Sequence, residues 1–403
     1  MNKFTSAISL RNTFIVLCGF LLFLSSCSND NNPDPDKENE YLLKDSLLTS
    51  ITKEVVLQKA AALSPLLTGF VKSGVKAYRI TYKTKNTDGT EITASGALIL
   101  PVTDQPVSMI SVQHGTISND LEAPSYFRDN SEASSFGSLF GSLGYIIAYP
   151  DYIGYGASKA YPHPYEHRAS LASASLDMLR AAKEFLKTHK EVNWDQKLYV
   201  AGYSEGGYAT MSLQKKIEEE ASAEFNLKAS SCGAGAYDKT AFMKHVINDV
   251  TLGVASYNKL YLWVMLTYDR LYNLNKPKSY YFKEPFAAGI TASGLDYPIA
   301  QSFNNILTDS FKKALNDGTD ANFIKAIADN DVYNWKPKTP TRLFHGDADP
   351  LVFYFNSVNA YTAMKKLGAA DVEFITIPNG THSSSINTYL FGTLTFFQDP
   401  KYK

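Results

Sequence analysis

The clearest structural signal in this chain is Lys197-Leu198-Tyr199-Val200-Ala201-Gly202-Tyr203-Ser204-Glu205-Gly206-Gly207. An apolar run typical of a β-strand, 198–201, meets the pattern Gly-x-Ser-x-Gly, and a segment compatible with a helix, 208–220, follows it. A strand, a tight turn and a helix are the context that a nucleophile elbow requires. The glycines on either side of Ser204 remove Cβ atoms that would clash in such a turn. The turn would hold the Ser204 hydroxyl out at the end of the strand, with the Glu205 amide at a helix N-terminus, where it can bind a developing oxyanion.

A serine hydroxyl becomes a strong nucleophile only when a base takes its proton and a third group orients that base. Candidates for both groups follow Ser204 in the chain order serine, acid, histidine. The segment 341–352 carries Asp349 at the end of a predicted strand, with Asp347 as a second carboxylate within reach. The segment 379–383 carries His382 in a loop after the next predicted strand. These groups predict acyl transfer through a serine ester, a reaction that needs no metal and no cofactor.

The rest of the chain predicts alternating strands and helices. Residues 75–84 and 92–102 alternate apolar and polar side chains across the turn signal Asn86-Thr87-Asp88-Gly89, which predicts a β-hairpin. The other predicted strands are 107–112, 145–148, 198–201, 227–231, 341–345 and 372–377, and the helix-like segments are 42–48, 52–63, 134–143, 170–187, 208–220, 356–367 and 384–397. Such alternation predicts an α/β fold with a mostly parallel central sheet flanked by helices on both faces.

A long helical insertion interrupts this alternation. From about 237 to 335 the sequence has helix-like periodicity and no clear strand, which predicts a helical cap between the sixth and seventh strands. The core would then consist of 45–236 and 336–403. The aromatic and aliphatic run 257–268 is interrupted by Asp269 and Arg270 before it could span a bilayer. We expect this run to be a cap helix, and the lining of an acyl pocket is a further hypothesis for some of its side chains.

These segments resemble the α/β-hydrolase superfamily. His345-Gly346-x-x-Asp349-x-x-Val352 is similar to the acid segment of many esterases, and Gly380-x-His382 is similar to their histidine loop. Within the superfamily the likeness is to secretory lipases with a helical cap, which have segments similar to Gln113-His114-Gly115-Thr116, 150–158 and His163-Pro164-Tyr165. The resemblance runs from about residue 75 to the C-terminus. It implies an α/β-hydrolase fold and the activity of a serine esterase or triacylglycerol lipase.

The resemblance also suggests the role of individual residues. Asp349 stands at the motif position of the acid, so we expect it rather than Asp347 to hold the histidine. A His-Gly-Thr replaces the His-Gly-Gly-Gly type of oxyanion loop, and the backbone N–H of Thr116 is the expected second donor beside that of Glu205. We expect His114 to shape this loop rather than to transfer protons.

The N-terminus predicts export and a lipid anchor. Lys3 and Arg11 precede the apolar run 14–24, so 1–26 is predicted to be a signal peptide, since the run is too short for a stable membrane span. A transmembrane anchor is the alternative. Leu24-Ser25-Ser26-Cys27 is similar to a bacterial lipobox, which implies lipidation of Cys27 and a polar, disordered tether over 27–44. We expect the protein outside the cytoplasm, anchored to the outer membrane, with the cell surface as an alternative.

Other chemistries have weaker support. A net charge of −1 gives no support for a nucleic-acid partner. His163-Pro164-Tyr165-Glu166-His167 matches a zinc pattern, but the proline after His163 disfavours the helix which that pattern needs, so we expect a structural turn. Asp317, Asp320, Asp329 and Asp331 lack the order of an EF-hand loop. Cys232 would be the only thiol left in the mature protein, so no intrachain disulfide is expected.

The expected substrate is a small-molecule or lipid ester. An acyl esterase acting on polysaccharides uses the same three side chains, and a serine peptidase performs related chemistry on related folds. A surface lipoprotein that binds lipids or glycans without catalysis is the alternative from another class of protein. An intact set of Ser204, Asp349 and His382 argues against such a binder, which needs none of them.

Overall fold

The computed structural model describes residues 39–402. A nine-stranded sheet forms its centre, in the order β1-β2-β3-β5-β4-β6-β7-β8-β9. The strands are β1 (Leu42–Ile51), β2 (Val75–Lys85), β3 (Glu91–Pro101), β4 (Pro106–Gln113), β5 (Tyr145–Pro150), β6 (Asn193–Tyr203), β7 (Asn226–Gly233), β8 (Thr341–Gly346) and β9 (Val372–Ile377). Every pairing from β5 across to β9 is parallel, whereas β1, β2, β3 and β5 pair antiparallel in succession. The prediction of a mostly parallel sheet is confirmed.

Helices cover both faces of this sheet. They are α1 (Lys53–Leu63), α2 (Ser138–Ser142), α3 (Arg168–Thr188), α4 (Glu205–Glu220), α12 (Phe355–Lys366) and α13 (Ile386–Gln398). Successive side chains of a strand point to opposite faces, so Met109 of β4 packs with residues of α3 and α4 while Ile110 packs with residues of α1, α2 and α13. The strands β5 and β8 are buried along their whole length, as expected for inner strands between two helical layers.

The predicted hairpin is confirmed, but the segment before it was assigned wrongly. Residues 42–48, predicted as helix-like, belong to the edge strand β1, which pairs antiparallel with β2. Its start is held by the carboxylate of Glu184, which accepts a hydrogen bond from the Leu42 amide at 2.7 Å. The predicted tether 27–44 therefore extends too far, because β1 begins at Leu42. The predicted signal peptide 1–26 and Cys27 lie outside the described residues.

The insertion between β7 and β8 is helical. It contains α5 (Lys239–Asn248), α6 (Ala255–Leu271), α7 (Lys278–Tyr281), α8 (Phe286–Ser293), α9 (Phe303–Ile306), α10 (Asp309–Asn316) and α11 (Ala321–Asp329). Because β1 adds a strand at the start of the chain, the insertion follows the seventh strand and not the sixth. The run 257–268 lies within α6, as predicted. Within residues 39–402, no helix combines the length and the apolar character needed to cross a membrane.

The insertion has a hydrophobic core of its own, and this core extends into the rest of the molecule. Aromatic side chains dominate it, among them Phe303, Phe311 and Phe323, all fully buried. Leu351 and Val352, which follow β8, pack into the same cluster. The insertion therefore packs against the loop that carries Asp349.

Candidate active site

Ser204 occupies a strained turn between β6 and α4. Its backbone has φ 61° and ψ −125°, a conformation that non-glycine residues rarely adopt. Its amide donates to the carbonyl oxygen of Gly233 at 2.9 Å, which holds the turn against β7. The neighbouring glycines are required by close packing: a Cβ on Gly206 would lie 2.0 Å from the carbonyl oxygen of Gln113, and one on Gly202 would lie 2.4 Å from that of Gly206. Strain of this kind persists only where the surrounding structure enforces it.

His382 lies between Ser204 and Asp349. Its Nε2 atom is 2.9 Å from Ser204 Oγ, and its Nδ1 atom is 2.6 Å from Asp349 Oδ2. The three residues follow β6, β8 and β9, whose carboxyl ends lie at one edge of the sheet because the strands are parallel. The Tyr203 hydroxyl donates to the carbonyl oxygen of His382 at 2.7 Å and so fixes the histidine loop beside the nucleophile turn.

Asp349 is held as an ionised acceptor. Its Oδ1 atom accepts from the amides of Leu351 and Val352, at 2.9 and 3.0 Å. Burial by itself would raise the pKa of Asp349, but hydrogen bonds from His345 and His382 outweigh that effect and lower the pKa to about 2. An ionised Asp349 keeps the proton of His382 on Nδ1, so Nε2 faces Ser204 as an acceptor.

Asp347, the alternative acid, lies apart from His382. It is exposed, and its Oδ1 atom accepts from the Asn379 amide at 2.6 Å. The hydrogen bond ties the loop after β8 to the loop after β9. Its position fits a structural role in the turn, and the choice of Asp349 agrees with the geometry.

One expected oxyanion donor follows Ser204 in the chain, and the other belongs to a residue that lines the same pocket. Glu205 is the first residue of α4, so its amide has no acceptor within the helix. Thr116 follows β4 and lines the same pocket as Ser204. His114 contacts the backbone at two points: its Nδ1 atom lies 2.7 Å from the carbonyl oxygen of Gly115, and its Nε2 atom lies 3.1 Å from the carbonyl oxygen of Asp151. Its two backbone contacts fit the expected role of shaping the loop.

Several groups around these donors could not be found from the sequence. Glu132 accepts from the Gly115 amide at 3.3 Å and from the Tyr149 hydroxyl at 2.8 Å. The Tyr165 hydroxyl lies 2.9 Å from Thr116 Oγ1. The sequence gives no signal for these contacts, because the partners are far apart in the chain and meet only in the folded protein.

A pocket of about 310 Å³ opens beside Ser204 and extends along the face of the sheet that α2 and α13 cover. Most of its lining is apolar and comes from β4, the turn before α2, α2 itself, α6, the loop after β8 and α13: Val112, Phe136, Phe140, Leu260, Leu351 and Leu390. Leu260 belongs to α6, so the insertion contributes to this site. A larger open groove, of about 1030 Å³, lies at the opposite edge of the sheet around Asn193 and Trp194. The groove is remote from Ser204, so we assign it no role in the reaction at Ser204.

The zinc-like pattern 163–167 does not form a metal site. His163 contacts Glu205, Glu166 pairs with Lys239, and His167 Nδ1 lies 2.9 Å from Ser170 Oγ. The described part of the chain contains no group of three histidine, cysteine or acidic side chains arranged to hold an ion.

Cys232 is fully buried, and burial raises the pKa of its thiol to about 12.

Comparison with known proteins agrees with this architecture. Residues 138–399, well over half of the chain, match the family model of secretory lipases. The structure is similar to that of a Legionella pneumophila protein whose hydrolase function is itself only proposed, with a TM-score of 0.80 and 25% identity over 89% of this chain and 98% of that one. It is also similar to the rice cell wall degrading esterase LipA from Xanthomonas oryzae, with a TM-score of 0.73 and 26% identity over 90% of this chain and 99% of that one.

Candida antarctica lipase A shares the fold, with a TM-score of 0.61 and 16% identity over 88% of this chain and 83% of that one. No protein of curated function matches the chain. The α/β-hydrolase fold expected from the sequence is confirmed by these likenesses.

Replacement of each candidate acid by its amide should separate their roles. Asp349→Asn would favour the wrong tautomer of His382, and in a comparable site this change lowers kcat on the order of 10⁴-fold. Asp347→Asn should keep activity close to that of the unchanged protein, because the side chain of Asp347 is exposed and accepts a hydrogen bond from the Asn379 amide, away from His382. Steady-state ester hydrolysis, with circular dichroism to verify folding, measures both. A larger loss in Asp347→Asn would reverse the assignment.

Proposed function

Because the chain belongs to the secretory lipase family, we propose that it hydrolyses carboxylic esters through an acyl-enzyme on Ser204. The observation that carries the proposal is the continuous contact from Ser204 Oγ through His382 to Asp349, at 2.9 and 2.6 Å. This contact lies beside an apolar pocket, the usual surroundings of a site that binds a small organic group.

The geometry supports the following sequence of steps. His382 Nε2 takes the proton of Ser204 Oγ as the oxygen attacks the ester carbonyl, and a tetrahedral oxyanion forms. The amides of Glu205 and Thr116 stabilise that oxyanion. His382 then protonates the leaving alcohol, and the acyl group stays on Ser204. In the second half a water molecule gives a proton to His382 and attacks the acyl carbon. The bond from that carbon to Ser204 Oγ then breaks, His382 returns the proton to Ser204 Oγ, and the acid is released.

The pocket favours a short to medium acyl chain. Its volume of about 310 Å³ is at the lower end of the range for ligand pockets, which runs from roughly 300 to 1,000 Å³. Phe136, Phe140 and Leu390 present apolar surface to a chain bound there, and Glu132 is the one acidic side chain in the lining among the described residues. Esters on plant cell wall polysaccharides are a second candidate, because LipA of Xanthomonas oryzae is described as degrading rice cell walls. Both candidates place the acyl group in the same pocket.

The secretory character of the family favours action outside the cytoplasm. A signal peptide over 1–26 and a lipid anchor on Cys27 are part of the proposal for how the protein reaches and holds that location. The membrane would then be its partner through the anchor alone.

Hydrolysis of nitrophenyl esters of increasing acyl length tests the proposal. The protein should cleave short and medium esters best, because a longer chain exceeds the pocket. Ser204→Ala should lower kcat about a millionfold, as loss of the nucleophile does in comparable enzymes. A folded protein without activity on any ester would exclude the esterase function and leave a peptidase or a binder. Equal activity in Ser204→Ala would assign the chemistry to another site.

Filling the pocket should change acyl-chain selectivity. Leu390→Trp would occupy part of the cavity, so kcat/KM for octanoyl esters should fall relative to kcat/KM for acetyl esters. Leu367→Trp is the matched control, because Leu367 is an exposed leucine that does not line the pocket. An unchanged ratio in Leu390→Trp, with a cooperative thermal transition, would show that the acyl chain binds elsewhere.

A further inference from the structure

The segment His163-Pro164-Tyr165 contacts the residues of both proposed oxyanion donors. His163 Nε2 lies 2.8 Å from Glu205 Oε1, and the Tyr165 hydroxyl lies 2.9 Å from Thr116 Oγ1. The side chains of His163 and Glu205 are only 3% and 1% exposed. The proposed mechanism uses the amide of Glu205 but gives no reason for a buried carboxyl on the residue directly after the nucleophile.

Hydrogen bonding defines the protonation of this pair. His163 Nδ1 lies 2.7 Å from the carbonyl oxygen of Ile153, which can only accept, so Nδ1 carries a proton. His163 Nε2 faces a carboxyl oxygen, so a second proton lies between the ring and Glu205. The pair is net neutral whether that proton belongs to the histidine or to the acid. Neutrality matters here, because a buried charge without a partner is strongly destabilising.

Aromatic rings lie around His163. The ring centroids of Tyr155, Trp263 and Tyr165 lie 4.8, 5.6 and 6.0 Å from that of His163. The other carboxyl oxygen of Glu205, Oε2, has no hydrogen-bond partner among the described residues. Compensation of the Glu205 charge therefore depends on His163.

Helix α6 of the insertion supports the same segment. The indole of Trp263 stacks on the Tyr165 ring at 4.4 Å, with an angle of 13° between their planes. Arg270 Nη2 donates to the carbonyl oxygen of His163 at 3.2 Å. The insertion thus helps to hold the segment that contacts Thr116 and Glu205.

We propose that His163 is a positioning residue that keeps the Glu205 side chain neutralised, so that no net negative charge opposes the oxyanion bound by the Glu205 amide. Tyr165 completes this arrangement by holding Thr116 in place. The inference rests on the proposed function, because it concerns stabilisation of the same oxyanion.

The titratable and charged groups near this pair come from several elements. They are Glu166 in the same loop, Lys239 of α5, Arg270 of α6, His382 in the loop after β9, Asp331 after α11, and the hydroxyls of Tyr152, Tyr155 and Tyr165. Glu166 and Lys239 neutralise each other in a buried ion pair. Among the described residues His163 is the one side chain in hydrogen-bonding contact with the Glu205 carboxyl.

A pH profile of His163→Gln tests the proposal in the full-length protein. Without His163, the buried Glu205 carboxyl has no partner to neutralise it, so at alkaline pH, where a carboxyl is ionised, an unpaired negative charge lies beside the oxyanion. We expect kcat to fall about 10- to 100-fold on the alkaline side, less than the loss of a whole oxyanion donor, with KM little changed. The double variant His163→Gln/Glu205→Gln should lose this alkaline fall, because its position 205 cannot ionise.

His167→Gln is the matched control, since His167 is in the same loop and contacts neither donor residue. The inference would be overturned if the unchanged protein is active and the pH profile of His163→Gln has the same shape as the profile of the unchanged protein. An alkaline fall in kcat that persists in the double variant would also overturn it. If the unchanged protein hydrolyses no ester, the proposed function itself fails.

A second pair of variants applies if His163→Gln does not fold. Tyr165→Phe should lower kcat with KM unchanged, because it releases Thr116. Tyr82→Phe, which removes one buried hydrogen bond to the carbonyl oxygen of Ala174, should leave kcat unchanged. Equal kcat in both variants would contradict the role of Tyr165.

Discussion

The strained backbone of Ser204 is the constraint on which the rest of the site depends. A φ of 61° at a serine is unfavourable, and it is maintained by packing that permits no side chain on the neighbouring glycines. A Cβ on Gly207 would lie 2.1 Å from the carbonyl oxygen of Gly233, so α4 and β7 touch at backbone level. Because α4 lies so close to β7, the chain passes from β6 into α4 at Ser204 without a loop between the two elements. The Ser204 hydroxyl and the Glu205 amide therefore lie at the same edge of the sheet.

The parallel sheet brings the remaining groups to that edge. β8 pairs with β7 and β9 pairs with β8, so the loops with Asp349 and His382 lie at the same edge as Ser204. The carboxylate of Asp349 is compensated by the amides of Leu351 and Val352, and the same two residues pack into the core of the insertion. The short loop after β8 thus takes part both in the apolar core of the insertion and in the hydrogen bonds that stabilise the Asp349 carboxylate. Helix α6 makes a second connection through the segment around His163.

Local patterns carried most of what could be predicted from the sequence. The turn at Ser204 and the alternation of strands and helices depend on residues that are neighbours in the sequence, so both could be predicted. The edge strand β1 could not, because it is a strand through pairing with β2, some thirty residues away, and its own side chains are mostly exposed. The contact between His163 and Glu205 spans 42 positions and exists only once the fold has formed. The choice between Asp349 and Asp347 rested on a resemblance, since residue types alone do not separate two carboxylates in one loop.

Covalent labelling of the folded protein by a fluorophosphonate tests the central claim most directly. The reagent reacts with a serine whose proton is removed by a neighbouring base, and its product imitates the tetrahedral intermediate. Mass spectrometry after digestion should find a single adduct, on the peptide that contains Ser204, and none in Ser204→Ala. A folded protein that does not react, or an adduct on another residue, would contradict the account.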